Sequence, residues 1–188
     1  MPDGMNVVLG RLASAGAKMA EFGINYGTFR EAIMVQMTWP GAPTLYYGDE
    51  AGVCGWTDPD NRRTYPWGSE DFELIEYHRY LIDLHKKLPA LRRGSLKQLQ
   101  ADRQLIMYGR MSGENKCAII INNRGDGRTV SVPVWELGIT DEDVITRMMM
   151  SYESGYNAGR VDYHADHGYL TLEVPAHSGV LLSSGVLV

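Results

Sequence analysis

Cysteine is nearly absent from this sequence, which holds only Cys54 and Cys117, far apart in the chain. So sparse a pair excludes a disulfide-built scaffold and fits no C-x-x-C metal spacing; two reduced thiols in a cytoplasmic protein are the expected state. Long apolar runs are missing too. None approaches the ~20 residues of a membrane span, and the first residues lack the charged region and apolar core of a signal peptide. A soluble chain without a membrane partner is therefore expected. Positive charge is in short supply: 18 Lys and Arg against 23 Asp and Glu leave a net charge of -5. That balance excludes a broad basic face for phosphates, and with it a nucleic-acid partner. No internal repeat or low-complexity tract interrupts the sequence.

What is present has the make-up of an ordinary globular protein, 44% hydrophobic and 22% charged. Its 188 residues suffice for one domain or two small ones. The two halves read differently. In the first, Thr28 and Glu31 form a T-x-x-E capping box that predicts a helix from Phe29 to Trp39, stopped by Pro40 and Gly41. "PTLYYG" (43–48) reads as a strand buried on both faces, since it lacks polar alternation. Ser69 is expected to cap a second helix with Glu70, Asp71 and Glu73 in its first turn. Leu74, Ile75, His78, Leu81, Ile82 and His85 share one face of it, and Pro89 is expected to close it. Beyond Gly94 the period shortens. "SLKQLQ", "RQLIMYGRM", "KCAIIINN", "RTVSVPV", "DVITRMM", "GRVDYHA", "YLTLEV" and "SGVLLSS" read as strands of an antiparallel sandwich. "NNRGDGR" (122–128) reads as a hairpin turn. The expected domain boundary lies near residue 94.

"GAPTLYYGDE" (41–50), "DPDNRR" (58–63) and "LPALRRG" (88–94), in that order and spacing, carry a resemblance. The sequence resembles the C-terminal part of α-amylase family enzymes, glycoside hydrolase family 13, nearest the neopullulanase, cyclomaltodextrinase and maltogenic amylase group. The likeness is dense from Thr28 to Gly94 and looser beyond. It implies an α/β region followed by a mainly β one: the last strand and helices of a (β/α)8 TIM barrel over residues 1–94, then an antiparallel β-sandwich, amylase domain C, over 95–188. "TLYYG" would be the eighth barrel strand, 70–88 its last helix, and the loop after Asp49 and Glu50 part of the catalytic rim. The implied reaction is retaining hydrolysis of α-1,4 or α-1,6 bonds in maltodextrin, cyclodextrin or pullulan; no cofactor and no metal is assigned to these residues. The implied partner is an α-glucan oligosaccharide, held weakly by these residues alone. Carried over by motif, the substrate-binding residues are Asp58 and Arg62, which would contact glucose units.

The chemistry of those two residues is compatible with that role. A carboxylate accepts hydrogen bonds from sugar hydroxyls, a guanidinium donates to them in a fixed fork, and Trp56 and Tyr65 can lie against sugar C–H faces. The bland reading is that Asp58 caps a turn, Arg62 pairs with Asp58 or Asp60, and the aromatics pack the loop. A retaining glycosidase also needs two carboxylates about 5 to 5.5 Å apart. The family carries its three acidic groups on barrel strands four, five and seven, and "NVVLGRLAS" resembles the seventh with the family's His-Asp pair absent. No catalytic residue is therefore assigned. Asp49 and Glu50, as neighbours on an extended strand, would point to opposite faces and are read as support for the rim. These residues alone are expected to hydrolyse nothing. The alternative is a non-catalytic carbohydrate-binding or protein-interaction module, with Tyr152, Tyr156 and Tyr163 as an exposed row. Asp162, His164, Asp166 and His167 are read as solvated residues and Met148, Met149 and Met150 as core and edge filler. An exposed barrel remnant would leave strand edges unpaired, so a homo-oligomer, or repacking of the first ~90 residues onto domain C, is expected.

Overall fold

The structure, a computed structural model, describes residues 23–113 and 115–185. Contacts divide them into two units: Leu45–His78 lies in one, and Tyr26–Thr44 joins the chain from Arg79 onward in the other.

The larger unit is built on strands. β1 (Ser95–Ala101), β2 (Leu105–Ser112), β3 (Asn115–Asn122), β4 (Arg128–Pro133), β5 (Ile145–Tyr152), β6 (Gly155–Asn157), β7 (Val161–Tyr163), β8 (Tyr169–Val174) and β9 (Ser178–Ser184) follow in chain order. One sheet runs β1-β2-β3-β9-β5-β6 with β7 also on β5, and β4 pairs with β8 in a second. Every pairing among these strands is antiparallel. Ala118 and Ile120 of β3 and Val180 and Leu182 of β9 meet Val130 and Val132 of β4 and Leu170 and Leu172 of β8 in one buried core. The alternate residues Cys117, Ile119 and Leu181 are equally buried. Covered on both faces, the central strands need no polar alternation, which explains "CAIII" and "VLL".

The second cover is α1 (Tyr26–Thr38), which lies against β9, β5 and β3. A Cβ on Gly179 would stand 2.7 Å from the Met34 sulfur, so glycine leaves room for the Met34 side chain where the helix crosses β9. At the other end of α1, the buried Arg110 donates from Nη1 to the Thr38 carbonyl at 2.6 Å and from Nη2 to the Gly94 carbonyl at 2.9 Å. His85 Nδ1 lies 2.7 Å from the Met37 carbonyl. The Met37 and Thr38 carbonyls belong to the last turn of α1, where intrahelical donors run out. Inside α1, burial pushes the Glu31 carboxyl up to about 8.

α2 (Phe72–Lys87) buries Leu74, Tyr77, His78, Leu81 and Leu84. α3 (Pro89–Arg93) follows at once.

All eight expected strands form, and the differences lie elsewhere. α1 starts at Tyr26, so Thr28 sits inside it, and its hydroxyl lies 3.2 Å from Asn123 Oδ1 in place of the expected capping box. α2 is capped by Asp71, whose Oδ1 accepts the Leu74 N–H at 3.1 Å; Ser69 lies two residues too early. α2 stops at Lys87, ahead of Pro89 as expected, and Pro89 in addition opens α3 because its fixed φ suits a first helical turn. "PTLYYG" is no strand: 42–46 are irregular and a turn follows. No neighbouring strand among the described residues offers it a ladder, and the Thr44 carbonyl is taken by the Gln36 side chain. Residues 122–128 join two different sheets and make no hairpin, since β3 pairs with β2 and β9 while β4 pairs with β8. β6 escaped the sequence reading because three residues carry too little periodicity.

Replacing Asp71 by Ala should lower stability by about 1 kcal/mol, while Ser69→Ala should change it little. Urea denaturation followed by far-ultraviolet circular dichroism distinguishes the two caps.

Candidate functional site

The smaller unit carries both predicted site residues. Gly48 (φ 91°) and Gly52 (φ 78°) bracket a single 3₁₀ turn, Asp49–Ala51. A Cβ at Gly48 would also stand 2.8 Å from Val53, so glycine is required there twice over. Asp49 and Glu50 thus occupy a turn, and the strand on which their opposed faces were expected is not formed. Glu50 Oε2 folds back to accept the Gly48 N–H at 3.0 Å. Burial raises the pKa of Asp49, His78 opposes the rise, and Glu50 adds to it. Both acids are engaged within the turn and do not flank a common point, as a retaining pair would.

The loop beyond holds two ion pairs of different character. Asp58 Oδ1 and Arg62 Nη2 lie 2.5 Å apart, with 63% and 62% of their side chains exposed. Asp60 and Arg63 are only 21% and 25% exposed and form a fork: Nε to Oδ1 and Nη2 to Oδ2, both 3.0 Å. Asp60 Oδ2 also accepts the Trp56 N–H at 2.9 Å, and Tyr47 donates its hydroxyl to the Arg63 carbonyl at 2.8 Å. Asp60 and Arg63 therefore hold the loop shut across residues 56 to 63. Gly55 is needed in it, because a Cβ there would meet the Asn61 Cα at 2.9 Å.

Aromatic side chains surround this loop. Tyr46 and Tyr47 pack at 4.9 Å between ring centroids, and Tyr65 and Trp67 at 4.6 Å. Trp56 is 47% and Trp67 83% exposed. A cleft of about 150 Å³ opens between Tyr46, Tyr47, Asp49, Trp56 and Arg63. A wider one of about 750 Å³ is lined by Asp60, Arg62, Arg63, Thr64 and Ser69 among others. Flat apolar rings beside fixed donors and acceptors are what a neutral polyol can use.

The structure thus joins Asp58 to Arg62 directly, one of the two pairings that the bland reading allows. The Asp60 and Arg63 fork and the Tyr46, Tyr47 and Trp67 rings were not singled out from sequence. The i, i+3 acid and arginine in "DNRR" were the only available signal for the fork. The other sequence candidates disperse. Tyr152, Tyr156 and Tyr163 are half-buried, and Tyr163 packs on the sandwich core. Asp162 accepts the Thr146 hydroxyl at 2.7 Å. β7 ends at Tyr163, so His164 and Asp166 leave the strand that would have aligned them. Asp166 and His167 form an exposed pair at 2.8 Å. Among the described residues no three His, Cys, Asp or Glu side chains group as metal ligands. No described helix is long and apolar enough to cross a membrane. Met148 and Met149 are core residues and Met150 lies at its edge. Cys54 and Cys117 form no disulfide, and burial pushes the Cys117 thiol up to about 12. "NVVLGRLAS" lies outside the described residues.

Comparison with known proteins gives this geometry its class. The chain is 33% identical over 174 residues to neopullulanase 2 of Thermoactinomyces vulgaris, matching 87% of this chain and 26% of that protein. It is 32% identical over 163 residues to the amylopullulanase of Thermoanaerobacter thermohydrosulfuricus, matching 81% of this chain and 10% of that one. The chain therefore spans about a quarter or less of the length of these relatives. The crystal structure of the Nostoc punctiforme debranching enzyme in its native form superposes with a TM-score of 0.66 at 30% identity, over 84% of this chain and 31% of that one. No protein-family model matches. By sequence and by fold the chain is related to the glycoside hydrolases of the α-amylase family. Within that family the likeness is to the neopullulanase and amylopullulanase members.

The Arg63 fork bonds the ionised form of Asp60, and the Trp56 N–H adds to it, holding the carboxyl below its ordinary range. The order this contributes is complete above the unfolded aspartate value, about 3.9, and is lost as pH falls through the lower folded value. In an NMR pH titration the Trp56 amide should shift with a midpoint below that value, and Arg63→Ala should raise the midpoint toward it. A wild-type midpoint at the ordinary value would show that the fork does not persist in solution.

Proposed function

We propose that these residues form the substrate-gripping rim and the C-terminal domain of an α-glucan hydrolase. Residues 41–94 belong to the closing part of a (β/α)8 barrel, and 95–188 to domain C. The parent reaction is retaining hydrolysis of α-1,4 or α-1,6 bonds in maltodextrin, cyclodextrin or pullulan. Asp58 accepts hydrogen bonds from glucose hydroxyls and Arg62 donates to others, with Trp56 against the ring. One observation carries this reading: the exposed Asp58 and Arg62 pair stands on a loop held by the more buried Asp60 and Arg63 fork, so its carboxylate and guanidinium are carried on an ordered backbone and open to a ligand. Anchoring reduces the ordering cost that a flexible loop would impose on binding.

No pair of carboxylates on the described loop can act as nucleophile and acid, and these 188 residues alone hydrolyse nothing. The charged pair supplies orientation and grip, and the bond-breaking groups lie on other strands of such a barrel.

Calorimetric titration of maltoheptaose into the chain and into Asp58→Ala, Arg62→Ala tests the rim. Weak binding by the wild type should fall by roughly tenfold or more in the double variant, the equivalent of one charge-assisted hydrogen bond. Equal binding by both would move the site onto the sandwich and favour a carbohydrate-binding module. A reducing-sugar assay with pullulan and β-cyclodextrin should stay at background; turnover that survives repurification would overturn the inactivity.

A further inference from the structure

Away from the rim, in the larger unit, the two-stranded sheet turns one face to the core and the other to water. Along β8, Leu170, Leu172 and Val174 are buried while Tyr169, Thr171 and Glu173 are exposed; along β4, Val130 and Val132 are buried while Thr129 and Ser131 are exposed. Register sets Ser131 beside Thr171 and Thr129 beside Glu173. Two large rings stand at one end of this open face: Tyr169, 44% exposed, and Trp135, 54% exposed, on the 3₁₀ turn Val134–Leu137 that follows β4 directly. At the other end Thr129 and Glu173 enter a cleft of about 600 Å³ together with Arg128 and Met150. The Arg128 guanidinium is loosely held there, Nη2 standing 3.7 Å from Asp126 and Nε having no hydrogen-bond partner among the described residues.

The end that carries the rings is built with care. Asp166 and Tyr169 exchange backbone hydrogen bonds of 2.8 and 3.0 Å across a two-residue turn, and both central residues are left-handed, His167 at φ 50° and Gly168 at φ 80°. Such a turn favours Asn-Gly or Gly-Gly, so a histidine in the first place departs from the local rule. Asp141 holds the turn by accepting the His167 N–H at 3.0 Å and the Gly168 N–H at 2.7 Å. Trp135 donates its N–H to the Gly168 carbonyl at 3.0 Å, and a Cβ on Gly168 would stand 2.8 Å from the Trp135 Cβ. The indole is thereby seated on the turn. One residue away, the His167 and Asp166 side chains are 93% and 92% exposed.

We propose that the outer face of β4 and β8 is a second binding track for an α-glucan chain, with Trp135 and Tyr169 as its stacking platform. The substrate class rests on the function proposed above; the location rests on this face alone. Flat rings suit the C–H faces of a sugar, and the Ser131, Thr129 and Thr171 hydroxyls both donate and accept along the strands. His167 and Asp166 at one end and Arg128 at the other supply stronger hydrogen-bonding groups. Charge selects a neutral ligand, because Asp141, Asp166 and Glu173 around the face repel a phosphorylated one. Exposed charges also flank the two rings, unlike the core of a protein interface, from which charged residues are depleted. An open face grips less than a cleft with fixed charges, so the rim dominates calorimetry and the track is read residue by residue.

Proton–nitrogen NMR spectra of the full chain during titration with maltoheptaose report both sites at once. Saturable shifts are expected at the Trp135 indole N–H and at the Ser131 and Thr171 amides, and they should persist in Asp58→Ala, Arg62→Ala. Trp135→Ala should weaken the response at Thr171 by about threefold to tenfold, the worth of one aromatic contact, while the Trp56 amide responds as in the wild type. His167→Asn keeps a residue that the turn favours, so it should fold normally and bind about twofold or more less tightly. Saturable shifts at Trp56 alone overturn the track and leave the rim; shifts along β4 and β8 alone do the reverse. Cellohexaose acting on Trp135 and Thr171 as strongly as maltoheptaose would overturn the assignment to an α-linked chain. Shifts there that follow protein concentration rather than sugar would give the face to a second copy of the chain and overturn the track as well.

Discussion

The buried guanidinium of Arg110 is the interaction on which the larger unit turns. A charge taken so far from water needs partners for its donors, and here Nη1 and Nη2 find them in the Thr38 and Gly94 carbonyls while the buried Nε has none. Both come from chain segments that the sandwich must hold against β2, the last turn of α1 and the end of α3. The positive group also stands at the negative end of α1. Thr38 adds its hydroxyl at 2.5 Å to that of Tyr108, two residues before Arg110 on the same strand. One strand therefore fixes the helix end by charge and by hydroxyl together, and α1 is left lying along β9, where Gly179 makes room for it.

Legibility of the fold followed the strength of each local signal. Strands such as "KCAIIINN" and "YLTLEV" declared themselves by apolar runs or strict alternation, and the structure pairs all of them. "PTLYYG" carried an equally good strand composition and formed none. Composition specifies a tendency, whereas a strand also requires a neighbour, and no described segment supplies one. The caps show the same limit at smaller scale: Ser69 and Asp71 are both good N-cap residues, and the tertiary placement of the first turn chose between them. Thr28 was drawn out of its expected capping role by Asn123 and His177, partners 95 and 149 residues away that no local pattern can announce.

The site divides similarly. Asp58 and Arg62 were legible through motif resemblance and are adjacent in space. The fork of Asp60 and Arg63, which gives the loop its rigidity, was hidden because adjacent residues of the same kinds have opposite duties in "DPDNRR". Exposure separates them: one acid and arginine pair is about two-thirds open to water, the other about three-quarters covered. A solvated pair contributes little to stability and is free to change partners, while the covered pair is a structural element. The covered pair thus orders the loop and leaves the solvated pair accessible.

β9 lies in the middle of the large sheet although it is the last described strand in sequence, bonded to β3 on one side and β5 on the other. The β1-β2-β3 group and the β5-β6-β7 group thus share no edge until Ser178–Ser184 has been made. During synthesis the two groups must wait as separate ladders with bare apolar borders, and joining them is a long-range event of the kind that slows folding. Any break in the chain before that strand would leave two half-sheets where the finished protein has one.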